Sequence, residues 1–170
     1  MEQAAFLELY ERSFRRVYNY ISYRINNHDD VEDLVSSVFM RALQRCDTYD
    51  ETRGGAEAWV IGIAHNAIVD HYRHSGQRRD ISWDAWETDV PDCLPLPDDI
   101  TIKKESQRCL MLALNALADR ERQVIALKYG AELSNREIAR HMGLSVSNIG
   151  VMLYRSLRKL RSRLGREERS

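Results

Sequence analysis

Basic and polar side chains recur along the last helical segment of the sequence, and their spacing suits contact with DNA. Residues 144–166 carry six basic side chains and no acidic one. At ~100° per residue, Ile149, Leu153, Leu157 and Leu160 form an inward apolar stripe. The opposite face then presents Ser147, Asn148, Val151, Tyr154, Arg155 and Arg158. An α-helix fits the major groove, where Asn can pair with adenine and Arg with guanine or phosphate.

The residues before this segment predict a helix-turn-helix. Ser134 and Glu137, three residues apart, form a capping box that opens a short helix. Gly143 supplies the positive φ of a tight turn, Leu144 fills the angle between the helices, and Ser145 caps the second helix. The N-terminal side chains of such a helix lie nearest the bases. Further along, we expect phosphate contacts, which position the protein without reading sequence, from Lys159, Arg161 and Arg163.

Other side chains that could do chemistry form no recognisable catalytic or metal site. His71 and His74 have a spacing that could bind a metal, but no third ligand of suitable spacing accompanies them. The three cysteines form no CxxC pair, which argues against a disulfide framework or a cysteine zinc site. The sequence contains no P-loop, GxSxG or HExxH motif. We therefore expect no enzyme activity, no cofactor and no metal.

The elements that position these residues are predicted to be helical throughout. Apolar residues at steps of three and four predict helices through residues 6–25, 31–43 and 56–74. Asp29 or Asp30 is the expected cap of the second helix. In the C-terminal part, a helix starts near Ile102, and Asp119 is expected to cap another that runs to about Tyr129. Since no strand alternation occurs, the fold class is all-α.

Charge and proline divide the 170 residues into two small domains and a linker. The net charge is only −1, yet residues 80–102 carry seven acidic side chains and no Lys or Arg, and all three prolines lie within 91–97. We predict domains over 1–79 and 103–170, joined by an acidic linker over 80–102. No run approaches the ~20 apolar residues that span a bilayer. The sequence thus predicts a cytoplasmic protein without membrane insertion.

Three segments carry a resemblance to a known family. They are DDVEDLVSSVFMRAL, AEAWVIGIAHNAIVDHYRHSGQRR and ALADRERQVIALKYGAELSNREIARHMGLSVSNIGVMLYRSLRKLR. In this order and spacing they resemble bacterial RNA polymerase sigma factors of the sigma-70 family, in particular the two-domain extracytoplasmic-function (ECF) group. The resemblance covers residues 6–79 (region 2) and 104–164 (region 4). It implies a monomeric subunit that binds RNA polymerase core, directs promoter-specific initiation and is controlled by an anti-sigma factor.

The same resemblance assigns roles to individual positions. The resemblance implies that core polymerase binds, through its β′ coiled coil, to Asp30, Glu32, Asp33, Leu34, Ser37 and Phe39. Contact with the promoter −10 element falls to Trp59, His65, Asn66, Asp70, Arg73 and His74. Contact with the −35 element falls to Ser145, Ser147, Asn148, Val151, Tyr154, Arg155, Arg158 and Lys159. The β subunit is a further expected partner, and the linker resembles the segment that threads the polymerase active-site cleft.

This chain departs from the family pattern at several of these positions. Ser36-Ser37 replaces a usual Gln-Glu pair, which makes the core contact less polar. His65 replaces a common arginine in the −10 helix, and Gly150 and Met152 replace frequently basic positions in the −35 helix. Readout of the −35 element is therefore expected to depend more on Asn148, Arg155 and Arg158.

The separation of the two promoter elements limits the conformations that the linker can have when both are bound. Promoter elements two helical turns apart are separated by ~70 Å. A 23-residue random coil spans only ~25–30 Å, whereas full extension reaches ~75 Å. We therefore expect a free protein that is compact or mobile, with the linker extended only on the polymerase.

Two alternative functions stay open: a DNA-binding regulator that acts without core polymerase, and a sigma mimic that titrates an anti-sigma protein.

Overall fold

A computed structural model describes residues 3–74 and 100–167, and these residues are helical, joined by short turns. The N-terminal part contains α1 (Gln3–Ser22), α2 (His28–Gln44) and α3 (Ala56–His74), with 3-10 turns at Cys46–Thr48 and Glu51–Arg53. The C-terminal part contains α4 (Ile100–Asn115), α5 (Asp119–Ile125), a π-helical turn (Ala126–Gly130), α6 (Asn135–Met142) and α7 (Val146–Glu167). The all-α prediction is confirmed.

The first three helices pack pairwise around apolar side chains that are fully buried. Val17, Ile21, Val38, Ile61 and Ile68 are each 0% exposed. Helix α3 has the bounds that the sequence predicts, because the apolar residues at steps of three and four extend over the same segment. This packing fixes the direction in which the polar side chains of α2 and α3 point.

The cap of α2 differs from the sequence prediction. Asn27, in an extended conformation, accepts hydrogen bonds through Oδ1 from the N–H groups of Asp29 (2.8 Å) and Asp30 (3.3 Å). The two aspartates therefore lie in the first turn, where their charges favour the positive end of the helix dipole. The Asn27 side chain accepts from two of the N–H groups that begin the helix, so it takes the capping role predicted for an aspartate.

The start of α5 also differs from the prediction. Ala118 is the cap residue, and its N–H donates to Glu121 Oε2 at 3.2 Å. The Asp119 carboxylate instead accepts from Arg24 Nη2 in the N-terminal part, at 3.2 Å. Helix α4 begins at Ile100, inside the predicted linker, and the rest of that linker lies outside the described residues.

The helix-turn-helix has the predicted construction. Ser134 N–H donates to Glu137 Oε2 (2.8 Å) and Glu137 N–H donates to Ser134 Oγ (3.3 Å), which completes the capping box. Gly143 ends α6 with φ 65°. Ser145 Oγ accepts from Asn148 N–H at 3.2 Å and so caps α7.

The inward stripe of α7 is displaced by one residue from the prediction. Ile149, Leu153, Ser156 and Leu160 are buried, whereas Leu157 is 40% exposed. Each residue turns ~100° about the helix axis. If Ile149 marks the inward direction, Ser156 lies about 20° from it and Leu157 about 80° from it. Ser156 tolerates burial because its Oγ donates to Met152 O at 2.8 Å. Leu157 lines a groove between α7 and α4 instead.

The N-terminal and C-terminal parts pack directly on each other. Helix α1 lies against the π-helical turn, and the buried apolar residues of both parts form one cluster. The described residues therefore form one body, although the linker that joins the two parts lies outside them.

Candidate nucleic-acid interface

Helix α7 presents its predicted DNA-facing side chains to solvent. All of them are exposed: Ser147, Asn148, Val151, Tyr154, Arg155 and Arg158. The Arg158 guanidinium lies over the Tyr154 ring, 5.9 Å from its centroid, within the range of a cation–π contact. Ser145 is exposed too, but its hydroxyl is already engaged as the helix cap. The face is thus polar, basic and free of neighbouring protein.

Lys159 has a protein partner in the structure. Its Nζ donates to Glu121 Oε1 at 2.6 Å, across the angle between α7 and α5. This hydrogen bond is the largest cause of a lowered pKa at the Glu121 carboxyl. Lys159 therefore fastens the C-terminal half of α7 to α5, a role that sequence spacing did not indicate.

The predicted −10 residues divide between an exposed end and a covered centre. Asn66, Arg73 and His74 are exposed on α3. Asp70 is half-buried, and its Oδ2 accepts from Arg41 Nη1 of α2 at 3.3 Å. His74 Nδ1 lies 2.7 Å from Asp70 O, so this end of α3 forms a linked polar cluster.

Trp59 lies at the other end of α3 beside the loop that precedes it. Its ring centroid is 5.4 Å from that of Tyr49, with the two planes tilted by 51°. The Tyr49 hydroxyl donates to Gly54 O at 3.2 Å, which holds the loop against the helix. Two half-buried aromatic rings thus meet where this loop joins α3.

His65, in the centre of α3, faces the C-terminal part of the chain. Its Nδ1 lies 3.2 Å from the Tyr20 hydroxyl and 3.4 Å from Gln123 Nε2. Its ring meets the His141 ring edge to face, with centroids 5.1 Å apart. Burial lowers the pKa of His65, and the Arg24 charge lowers it further. Sequence reasoning missed Tyr20, Gln123 and His141, because no local signal connects them with α3.

The predicted core-polymerase residues occupy one side of α2, at different depths. Glu32 and Asp33 are exposed, while Asp30, Leu34 and Ser37 are half-buried. Phe39 is buried, and its ring packs on Tyr10 (4.7 Å) and Phe14 (6.1 Å) of α1. Phe39 therefore supports this surface from beneath. Large apolar side chains that are exposed beside it are Leu7, Tyr10, Phe14, Met40 and Leu43.

A metal site and a membrane-spanning helix would each need a particular arrangement of residues. In residues 3–74 and 100–167, no group of three or more His, Cys, Asp or Glu side chains is placed to hold a metal ion. None of the described helices combines the length and apolar character needed to cross a membrane. Cys46 and Cys109 are half-buried, the Cys46 thiol donates to Asp47 Oδ1 (3.6 Å), and Cys93 lies outside the described residues.

Comparison with known proteins finds a family match for each of the two parts of the chain. Residues 9–78 match the model of Sigma-70 region 2, and residues 107–160 match that of Sigma-70 region 4. The chain is 31% identical to the ECF RNA polymerase sigma factor BldN of Streptomyces coelicolor over 94% of this chain, and it spans 60% of the length of that relative. It is 29% identical to the ECF sigma factor SigK of Mycobacterium tuberculosis, over 95% of this chain and 86% of SigK.

A solved structure shows the same fold. The sigma factor RpoE, crystallised with the anti-sigma factor NepR from Bartonella quintana, aligns with a TM-score of 0.74 at 20% identity, over 95% of this chain and 97% of RpoE. The region 2 match precedes the region 4 match along the chain, in the predicted order. The chain belongs to the sigma-70 family of RNA polymerase sigma factors, in its ECF group.

Proposed function

We propose that this chain is a sigma subunit that binds RNA polymerase core and directs promoter-specific initiation. Region 2 docks on core through the α2 surface and reads the −10 element with α3, and region 4 reads the −35 element with α7. The observation that carries this proposal is the exposed polar and basic face of α7, in a chain whose two parts match Sigma-70 regions 2 and 4. Catalysis belongs to the polymerase, and this subunit supplies binding and positioning.

Energetics support a requirement for core polymerase. Opening about ten base pairs costs on the order of 14 kcal/mol at ~1.4 kcal/mol per step. Stacking one or two bases on Trp59 and Tyr49 returns only ~1–3 kcal/mol for each base. The free chain is therefore expected to bind duplex DNA without melting it, and core must supply the remaining free energy.

Run-off transcription with purified bacterial core polymerase and a genomic promoter library tests the proposal. The expected result is a set of start sites that appears only when both core and this chain are present. Reversing the exposed charges of α2, with Glu32→Lys and Asp33→Lys, should weaken binding to core while the purified chain keeps its duplex DNA affinity. Arg108→Ala, which removes one exposed charge from α4, is a matched control. Absence of core-dependent start sites would contradict the proposal.

A regulator that acts without core is the second candidate, because the α7 face alone would serve it equally well. A competition experiment separates the two. A sigma subunit displaces other sigma factors from core, whereas a DNA-binding regulator does not. The match of residues 9–78 to region 2 favours the sigma subunit.

We also propose an anti-sigma factor as a regulatory partner. RpoE, which shares this fold, was crystallised with the anti-sigma factor NepR. The exposed apolar side chains beside α2 offer a surface of the kind that protein partners bury. Co-purification of the chain with a candidate anti-sigma protein, and loss of run-off transcription on its addition, would identify such a partner.

A further inference from the structure

Val151 is an apolar side chain in the middle of the polar face of α7, and it is 47% exposed. At ~100° per residue, Ser147 and Arg155 lie about 40° to either side of it around the helix axis, and Asn148 lies about 60° away. These three neighbours are exposed as well. Val151 therefore lies at the centre of the surface that the proposed function directs toward the bases.

Packing within the protein does not account for this side chain. In residues 3–74 and 100–167, the apolar core and the half-buried residues packed against it do not include Val151. The buried Ile149 points about 160° away from it around α7. The apolar groove beside α7, which Leu157 and Leu164 line, does not reach Val151 either. Single exposed apolar residues are ordinary, but this one lies in a surface that loses its water when α7 enters a major groove.

The major groove offers one apolar group to such a side chain. All four bases present hydrogen-bonding groups there, and only thymine adds a methyl group, at C5. A valine pressed against another base edge would take polar groups out of water without replacing their hydrogen bonds, which costs free energy. Against a thymine methyl, the same side chain removes apolar surface from water on both partners. The chemistry of the groove therefore favours thymine opposite Val151.

The spacing of Val151 and Asn148 relates this thymine to a second base. Three residues of an α-helix advance about 4.5 Å along its axis, and successive bases lie ~3.4 Å apart along each strand. The two side chains can therefore contact the same base pair or adjacent ones. Since an asparagine amide pairs with adenine through two hydrogen bonds, the two residues together suit a site in which adenine and thymine are paired or adjacent.

We propose that Val151 is a specificity-determining residue that selects thymine in the −35 element through contact with its 5-methyl group, in the base pair that Asn148 reads or in the next one. This inference rests on the proposed function, because it needs α7 in the major groove. Loss of either the thymine methyl or the valine side chain should weaken binding ~4-fold, the factor that corresponds to burial of one methyl-sized group. The two losses should not add, because each removes the same contact.

Replacement of thymine by deoxyuridine tests the contact without altering the protein. The preferred −35 duplex is first selected with the full chain from a library of random sequences. Each thymine in that duplex is then replaced singly by deoxyuridine, which pairs in the same way and lacks only the 5-methyl group. The affinity of the wild-type chain should fall ~4-fold at a thymine in or next to the base pair whose preference Asn148→Ala relaxes.

Val151→Ala separates contact through Val151 from an effect of the methyl group on DNA shape. The variant should bind the thymine and deoxyuridine duplexes equally, and about as weakly as the wild-type chain binds the deoxyuridine duplex. Alanine favours the helix, so α7 is preserved. Val146→Ala is the matched control: Val146 is 46% exposed on the same helix and lies about 140° around its axis from Val151. The control should keep the wild-type ratio of the two affinities.

Each outcome decides the inference. Equal wild-type affinity for every thymine duplex and its deoxyuridine counterpart would overturn it, and so would a preferred sequence without thymine. A thymine preference that persists in Val151→Ala would overturn it as well, because the methyl group would then act through another residue or through DNA shape. If the full chain showed no sequence preference, alone or with core polymerase, the proposed readout by α7 would fail together with this inference. A clear preference that is insensitive to deoxyuridine would remove this inference alone.

Discussion

Individual side chains on α7 are expected to divide between reading bases and holding phosphates. Asn148 lies near the N-terminal end of the helix, where side chains reach base edges, whereas Arg163 lies four turns further along. Asn148→Ala should relax base preference at one promoter position, by ~1–3 kcal/mol of discrimination. Arg163→Ala should weaken binding to all sequences equally. Binding to a library of −35 variants measures both effects, and equal shifts in specificity from the two substitutions would contradict this division.

The pairing of Lys159 with Glu121 predicts an unequal salt dependence among the basic residues of α7. Each phosphate contact that is lost lowers the slope of log affinity against log salt by ~0.9. Arg158→Ala should show this reduction, because Arg158 is exposed beside Tyr154. Lys159→Ala should change the slope much less, since Lys159 already donates to Glu121. Titrations of the full chain with duplex DNA at several salt concentrations provide the measurement, and equal slopes for both variants would contradict the assignment.

At the scale of elements, the turn between α6 and α7 depends on one glycine. Gly143 has φ 65°, a conformation that costs a residue with a Cβ roughly 1–2 kcal/mol. Gly143→Ala should therefore lower the free energy of unfolding by about that amount. Gly150→Ala is the matched control: Gly150 lies inside α7 with open space around it, and alanine there should stabilise the helix by ~0.5–1 kcal/mol. Urea unfolding followed by circular dichroism should move in opposite directions for the two variants, and a stable Gly143→Ala would refute the role of the turn.

Elements whose signals are local were predictable, and elements that depend on distant partners were not. The capping box at Ser134, the glycine turn at Gly143 and the bounds of α3 each follow from residues within a few positions. Ser156 is buried in place of Leu157 because of the angle at which α7 meets α4 and α5. The spacing of leucines in the sequence does not reveal that angle. The caps at Asn27 and Ala118 were not predicted, because an aspartate follows each of them within two residues and aspartate is a preferred cap.

At the scale of the whole molecule, the sequence could not reveal the contact between regions 2 and 4. Arg122 binds backbone carbonyl groups almost one hundred residues earlier in the chain. Carbonyl acceptors have no signature in a sequence. Sequence-based reasoning predicted both surfaces, but only the structure shows that His65 of α3 faces Tyr20, Gln123 and His141.

The contact between α3 and α6 is expected to weaken as the pH falls. Burial, with a smaller contribution from His65, lowers the pKa of His141 to about 4, and burial lowers that of His65. If the two parts separate (the open form), both histidines are expected to titrate near ~6.5. Protons therefore favour the open form over the packed, closed form: the contact is at its strongest above about pH 6.5 and weakens progressively below it. Tyr20 of α1, Arg24 just beyond α1 and Asp119 of α5 act on the pair from the other elements, and Glu137 and Arg140 lie beside it on α6.

Small-angle scattering at pH 7.5 and 5.5, at constant ionic strength, measures this dependence. We expect the wild-type chain to expand at the lower pH, by a shift of up to tenfold per histidine in the ratio of open to closed molecules for each pH unit. His141→Phe, which cannot be protonated, should reduce the response. His74→Gln, a substitution of an exposed histidine at the end of α3, should leave it intact. A response that is identical in all three proteins would place the pH dependence elsewhere in the chain.

The exposure of the α7 face, in a chain whose His65 faces other protein groups, has a consequence for timing. On the proposed function, the chain can land on duplex DNA through α7, slide and leave again without disturbing a base pair. Opening of the strands then waits for the polymerase, so encounters with stray −35-like sequences remain brief and harmless.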